Sequence, residues 1–191
     1  MKDEIVQKTC RFDVCKDCKM ICCQDAKPPL TAQRKKIITK YLKDHDVHVE
    51  TPFIEEAYSF PALDERGFCV FHSKETGKCL VHEVKPETCR AGPVTFDINL
   101  KTGKIEWFLK KPEICALAGT LQQESSALEN HFEVARTEIL QLIRELDPKA
   151  LRAILTIEEP QTFKIREDNV QTNILKKLGS NPSDNPSRRN H

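Results

Sequence analysis

Nine cysteines carry most of the chemistry that this chain of 191 residues offers. Eight of them lie between residues 15 and 115, and the chain beyond residue 115 contains none. Disulfides are a poor use of so many cysteines in a reducing compartment. Buried cysteines that act only as small hydrophobic residues would be scattered along the chain. The clustered distribution therefore favours metal ligation by thiolates.

The first group of cysteines is Cys15, Cys18, Cys22 and Cys23. Two cysteines separated by two residues can both reach one metal ion, because the turn between them brings their sulfurs together. In a helix, Cys15, Cys18 and Cys22 would share a face. The vicinal pair, Cys22 and Cys23, would point in different directions in a helix or strand. We therefore expect these two to serve different sites, unless one of them is a spare, and this is a hint of two sites.

The second group is Cys69, Cys79 and Cys89, which follow one another at intervals of ten residues. A hairpin would place Cys69 beside Cys79, and Cys89 follows a turn that Pro86 makes rigid. Cys115 is predicted just inside a long helix, where the helix dipole would favour its thiolate. These positions complete a set of eight candidate ligands.

Two of these cysteines are followed by a histidine at the spacing Cys-x-x-His, namely His72 and His82. Taken alone, this spacing is typical of zinc sites. In a strand, however, residues i and i+3 face opposite sides of the sheet. We therefore predict that these histidines support the ligands or face solvent and do not bind metal themselves.

The order of these motifs resembles the CxxCxxCC family, also called the YkgJ-like cysteine-cluster proteins, which are described as zinc- or iron-chelating. The matching pieces span about residues 10 to 120. They are Phe12 with the four cysteines of the first group, Cys69-Val70-Phe71, Gly77-Lys78-Cys79-Leu80-Val81, Pro86-Glu87-Thr88-Cys89-Arg90 with Pro93, and Cys115.

The chain departs from the family pattern at a few points. Three residues precede the vicinal pair where two are usual, and Lys85 and His82 replace an arginine and a tyrosine. Ala116 and Leu117 follow the last cysteine in place of Pro-Gly, and Cys10 has no place in the pattern. None of these changes removes an expected thiol.

Eight thiols divide into two sets of four, which suits two tetrahedral zinc sites or two four-iron clusters. Thiolates bind both metals well, but a vicinal pair is unusual in simple zinc ribbons and favours iron–sulfur. We predict a protein that holds iron–sulfur clusters (4Fe-4S) or zinc and has a redox or metal-handling role. The predicted ligands are Cys15, Cys18, Cys22, Cys23, Cys69, Cys79, Cys89 and Cys115.

Two alternative functions remain open. One is a purely structural zinc protein that acts as an interaction module. The other is protein methylation with S-adenosylmethionine, because proteins similar to this one include a flagellin lysine N-methylase. The sequence has no Gly-rich strand–loop–helix typical of that cofactor, so whether the protein is an enzyme is left open.

Charge and hydropathy restrict the partners. The net charge is +1, with 30 basic and 29 acidic side chains, which predicts no binding of nucleic acid or anionic membrane. The first residues, Met1-Lys2-Asp3-Glu4, begin no apolar segment typical of a signal peptide. No run of about 18 apolar residues predicts a membrane span. We expect a cytoplasmic protein whose protein partner, if it has one, binds the C-terminal helices.

The elements that position these residues predict an α+β fold, in which an irregular, cysteine-rich, metal-bound domain with short β-hairpins precedes a helical C-terminal region. Hairpins are predicted at 67–71 with 78–82 and at 94–98 with 104–108. Helices are predicted over 31–44 with Thr31 as N-cap, 112–146, 148–155 and 169–178, the last stopped by Gly179. We predict a metal-binding domain at 1–120, a helical extension packed on it at 121–178, and a disordered tail at 179–191.

Overall fold

A computed structural model describes residues 22–159 and 161–179. The helices are α1 (Ala32–Asp44), α2 (Glu87–Ala91), α3 (Ala116–Gln123), α4 (Ser125–Glu145), α5 (Pro148–Leu155) and α6 (Thr172–Leu178), with a 3-10 turn at His82–Val84. The strands are β1 (Phe53–Glu55), β2 (Ser59–Pro61), β3 (Val94–Asn99), β4 (Lys104–Lys110) and β5 (Thr162–Asn169). The mixed helices and small antiparallel sheets confirm the predicted α+β class. Among the described helices, none is both long and apolar enough to cross a membrane.

The second predicted hairpin is confirmed as β3 and β4, which pair from Val94 with Leu109 to Asn99 with Lys104. Gly103 makes the turn between them with a φ of +65°, a conformation that costs glycine little. Strand β5 was not predicted, and it adds to the free edge of β4 in antiparallel register. Its exposed residues do not alternate with buried ones, so the sequence shows no strand periodicity there.

Helices α1 and α5 are confirmed with both ends. The last helix is confirmed at its C-terminal end only, since it was predicted from residue 169 and begins at Thr172, and Asn169 belongs to β5. The hydroxyl of Thr31 caps α1 by accepting a hydrogen bond from the N–H of Arg34. Asp147 caps α5 in the same way, and Gly179 ends α6 in the left-handed conformation. These ends lie where short-range side-chain chemistry specifies them.

The single long helix predicted over residues 112–146 is wrong. The backbone becomes extended at Glu124 and separates α3 from α4. Around this point, residues 122–126 are all polar, so no buried side chain holds the helix straight, and serines favour helix starts over helix interiors. Pro112 lies in a turn before α3 and not in its first helical turn.

The first predicted hairpin is also wrong as a pair of strands. Residues 67–71 and 78–82 form tight turns that are joined by a bridge between His72 and Cys79. The link between them is nevertheless a turn as predicted, with the N–H of Ser73 donating to the carbonyl of Lys78 at 2.8 Å. The cysteines of this region therefore stand on turns.

Two hydrophobic cores support the fold. The main core lies between the β3–β4–β5 sheet and helices α4, α5 and α6, around the completely buried Trp107 and Leu142. The second core is smaller and lies under the cysteine turns against α1; its buried members are Leu30, Ile38, Leu42, Phe71 and Val81.

The predicted domain boundary near residue 120 stays a prediction, while the predicted tail from residue 180 onward lies outside the described residues.

Candidate metal centre

Cys69 and Cys79 each begin a tight turn that ends at a histidine. The N–H of His72 donates to the carbonyl of Cys69 at 2.8 Å, and the N–H of His82 donates to the carbonyl of Cys79 at 3.3 Å. In both turns, the N–H two residues after the cysteine also donates to the cysteine sulfur. These hydrogen bonds favour the thiolate that a metal requires.

The vicinal cysteines are joined to the first of these turns by backbone hydrogen bonds. The N–H of Cys69 donates to the carbonyl of Cys23 at 2.8 Å, and the N–H of Asp25 donates to the carbonyl of Gly67 at 2.8 Å. Because the His72–Cys79 bridge joins the first turn to the second, three separate chain segments bring their cysteines together.

The two vicinal thiols contact each other within a turn. The thiol of Cys23 donates a hydrogen bond to the sulfur of Cys22, and this lowers the pKa of Cys22 to about 6 although partial desolvation opposes the shift. The charges of Lys85 and Lys110 lower it further. The same hydrogen bond raises the pKa of Cys23. In a helix or strand these side chains would point apart, but the backbone here is a turn and they contact each other. That they serve different sites stays a prediction.

Cys89 comes from a fourth segment, the short helix α2, where a turn had been predicted. Burial raises the pKa of its thiol, and the charges of Cys79, Cys22 and Cys69 raise it further, against the opposing charge of Lys85. Such effects require the sulfurs to lie within range of one another's charge. Five of the eight predicted ligands, on four chain segments, therefore form one group of thiols in this sense.

Burial also dominates at the two turn cysteines. It raises the pKa of Cys69 to about 11 and that of Cys79 above its usual value, although a backbone N–H opposes the shift in both cases. Lys85 is the cation that counteracts this cost at Cys79, as it does at Cys22 and Cys89. In the sequence, Lys85 is notable only because it replaces an arginine of the family pattern. In the structure, its charge acts on three thiols.

Three predicted ligands remain, namely Cys115, Cys15 and Cys18. Cys115 is the N-cap of α3, and its side chain packs against the main core, so it lies before the helix and not inside it. Its ligand role stays a prediction. Cys15 and Cys18, as well as the unassigned Cys10, lie outside the described residues. Within residues 22–159 and 161–179, no three cysteine, histidine or acidic side chains form a ready-made metal site.

The reason given for excluding the two histidines does not hold, since residues i and i+3 of a turn can lie on the same side. His72 stacks on Phe68 with ring centroids 5.1 Å apart. Burial lowers the pKa of His82 to about 3, and the charges of Lys85 and Arg90 contribute. His82 is therefore a neutral imidazole in this fold.

A buried polar network beneath the centre was not predicted. The hydroxyl of Thr31 donates to Oε1 of Glu87 at 2.6 Å, and Nε of Arg34 lies 3.7 Å from the same oxygen. Arg34 also pairs with Glu138, which accepts a second hydrogen bond from Arg90 at 2.6 Å. The network joins α1, α2 and α4. No local pattern predicts it, because its members are far apart in the sequence.

The fold and the site define an α+β protein with a group of thiols suited to soft metals. The family model CxxCxxCC, described as "Putative zinc- or iron-chelating domain", matches residues 14–117. This range is more than half of the chain, and the protein belongs to this family. It contains all eight predicted ligands and ends before α4. Comparisons with curated proteins and with solved structures gave no match.

Proposed function

We propose that this protein binds iron as one or two iron–sulfur clusters through its eight clustered cysteines. The observation that carries the proposal is that five thiols on four chain segments lie close enough for their charges or hydrogen bonds to act on one another. The family description supports metal binding in general. The choice of iron–sulfur rests on the number and arrangement of the thiols.

The number of thiols favours a polynuclear centre. A structural zinc ion takes four ligands in a tetrahedron, whereas the described group already contains five thiols that are linked by a hydrogen bond or by the effect of their charges. Two four-iron clusters would use all eight cysteines. Because the described thiols form one group, two such clusters would be neighbours and not independent sites.

The chemistry of the donors fits such a group. The interacting donors are all thiols, and soft thiolates are the ligands of iron–sulfur clusters. Backbone N–H groups donate to the sulfurs of Cys69 and Cys79, and such hydrogen bonds tune cluster potentials. Burial disfavours the free thiolate at Cys69, Cys79 and Cys89. A bound cation would offset that cost, since coordination deprotonates a thiol.

Zinc is the second candidate, and the two Cys-x-x-His turns favour it. This spacing occurs in zinc sites, and each turn keeps its cysteine and histidine within one reverse turn. A zinc centre of this kind would be a structural cross-link without redox chemistry. Iron–sulfur would instead give the protein an electron-transfer or Lewis-acid role.

The deciding experiment is anaerobic purification followed by iron, sulfide and zinc analysis and an absorption spectrum. We expect iron and acid-labile sulfide in equal amounts, with a broad visible absorption that reduction bleaches. A colourless protein with about two zinc ions per chain would refute the iron–sulfur proposal and support the structural zinc alternative.

Serine variants test the ligand set. Cys89→Ser and Cys115→Ser should each lower the metal content and the thermal stability, because metal binding is coupled to folding. Cys15→Ser should do the same, while Cys10→Ser, the matched control, should change neither. Full metal retention in Cys89→Ser would contradict the assignment of this group of thiols as the centre.

A further inference from the structure

Helix α2, which carries Cys89, is held by two polar side chains of α4. Glu138 accepts a hydrogen bond from Nε of Arg90 at 2.6 Å. Nε2 of His131 lies 3.1 Å from the carbonyl oxygen of Ala91 and donates to it. Glu138 and His131 are seven positions apart, so they lie on one face of α4. They contact the two residues that directly follow Cys89.

Both contacts are buried. His131 is 2% exposed and Glu138 is 9% exposed. Glu138 uses its second carboxylate oxygen to pair with Arg34 of α1. Arg90 in turn donates from Nη1 to the carbonyl of Glu83 at 2.7 Å. The carboxylate of Glu138 therefore connects three helices, and Arg90 extends the connection to the segment that leads into α2.

Stability alone does not explain this arrangement. Burying charged groups is costly, and apolar side chains of similar volume often stabilise a core as well or better. An apolar contact does not fix the orientation of its partners, because it permits a short helix to rotate about its axis or to shift. Hydrogen bonds at Arg90 and at the carbonyl of Ala91 fix the rotation of α2 about its axis. The direction of the neighbouring thiol of Cys89 depends on that rotation.

We propose that Glu138 and His131 are positioning residues of the metal centre and act through Arg90 and Ala91 to hold Cys89 toward the other thiols. This inference rests on the proposed function. The family match ends at residue 117, and α4 begins only at Ser125. The inference therefore extends the centre to residues outside the family match. The C-terminal helical region is thereby a working part of the centre.

The test uses the full-length chain with Glu138→Gln, and Glu133→Gln as a matched control, since Glu133 is an exposed residue of the same helix. Two rates are measured: metal release to a chelator, and alkylation of Cys89 relative to Cys79 in the metal-free protein, followed by peptide mass spectrometry. We expect Glu138→Gln to release metal roughly tenfold faster, the size typical for loss of a group that orients a ligand. Its Cys89 should also be alkylated faster relative to Cys79, and the control should match the wild type.

If Glu138→Gln shows wild-type values for both rates, the proposal is overturned, even if the variant is less stable to heat. A residue with only a structural role would change the thermal stability and leave both rates unchanged. If Glu138→Gln does not fold, His131→Phe, which keeps a ring but loses the donor to Ala91, is judged by the same two rates. A wild-type protein without metal would refute the proposed function. The alkylation comparison would then still decide whether α4 directs Cys89.

Discussion

Gly67 offers a direct test of how the vicinal cysteines reach the other thiols. Its φ is +79°, and a Cβ at this position would lie 2.1 Å from Oδ1 of Asp25. The same two residues share the 2.8 Å backbone hydrogen bond that holds the segment of Cys22 and Cys23 beside Cys69. Gly67→Ala should therefore strain its own backbone and force the Asp25 carboxylate to turn away, which disturbs the contact beside this hydrogen bond.

Gly77 provides the matched control. Its φ is +67°, and a Cβ there would meet no atom within 4 Å. Gly77→Ala should lower the free energy of unfolding by about 1–2 kcal/mol, the cost of a left-handed backbone for a residue with a side chain. Gly67→Ala adds the weakening of one backbone hydrogen bond, about 0.5–1.5 kcal/mol. It should therefore lose about 1.5–3.5 kcal/mol in total.

The assay combines urea unfolding with competition for metal by a chelator. Both variants should be less stable than the wild type, with Gly67→Ala the less stable of the two. Metal release should be faster only in Gly67→Ala, because only this substitution disturbs the Asp25–Gly67 contact that holds the segment of the two vicinal thiols. Equal unfolding free energies and equal release rates for the two variants would refute the reasoning that the Asp25–Gly67 contact positions the vicinal pair.

Three further predictions concern the scaffold. Leu142→Ala, at a completely buried position of the main core, should lower the unfolding free energy by about 2–5 kcal/mol, measured by fluorescence of the single tryptophan; a loss below about 1 kcal/mol would contradict the assigned packing. Burial raises the pKa of Asp168, but hydrogen bonds from Arg136 and Trp107 outweigh it and hold the pKa below its usual value. The stabilisation by Asp168 is therefore present above the unfolded pKa and lost as pH falls through the folded one. The stability gap to Asp168→Asn should shrink between about pH 7 and about pH 3, and a constant gap would argue against it. Metal removal should abolish hydrogen-exchange protection in the turns at 62–85 while the sheet and α4 keep theirs; uniform loss would contradict the presence of two separate cores.

The elements that could be predicted are those that short-range chemistry specifies. Thr31, Asp147 and Gly179 mark helix ends by hydrogen bonds or backbone conformation within a few residues. The hairpin of β3 and β4 combines alternating side chains with a glycine turn. In each case the interacting groups are neighbours in the sequence, so the pattern contains the information.

What could not be predicted depends on residues far apart in the chain. Strand β5 forms because β4 offers a free edge, to which Lys164 adds an ion pair with Glu106 at 2.9 Å. The network of Arg34, Glu87 and Glu138 joins three helices, and none of its members has a local signature. Likewise, the cysteine segments resemble strands in composition, yet turns satisfy their backbone groups.

The turns that carry the cysteines lie in the less well packed part of the fold, and this explains why the cysteines are found there. The main core contains the sheet and the long helix, so it is ordered by packing and by regular backbone hydrogen bonds. The cysteine turns rest on a core with few buried side chains and are joined by isolated bridges and tight turns. Such a segment gains little from packing to offset the entropy of ordering its backbone. In the proposed centre, thiolate–metal bonds would supply that free energy, and they would do so only when the four segments converge. The small core therefore predicts that the order of this region depends on the proposed metal.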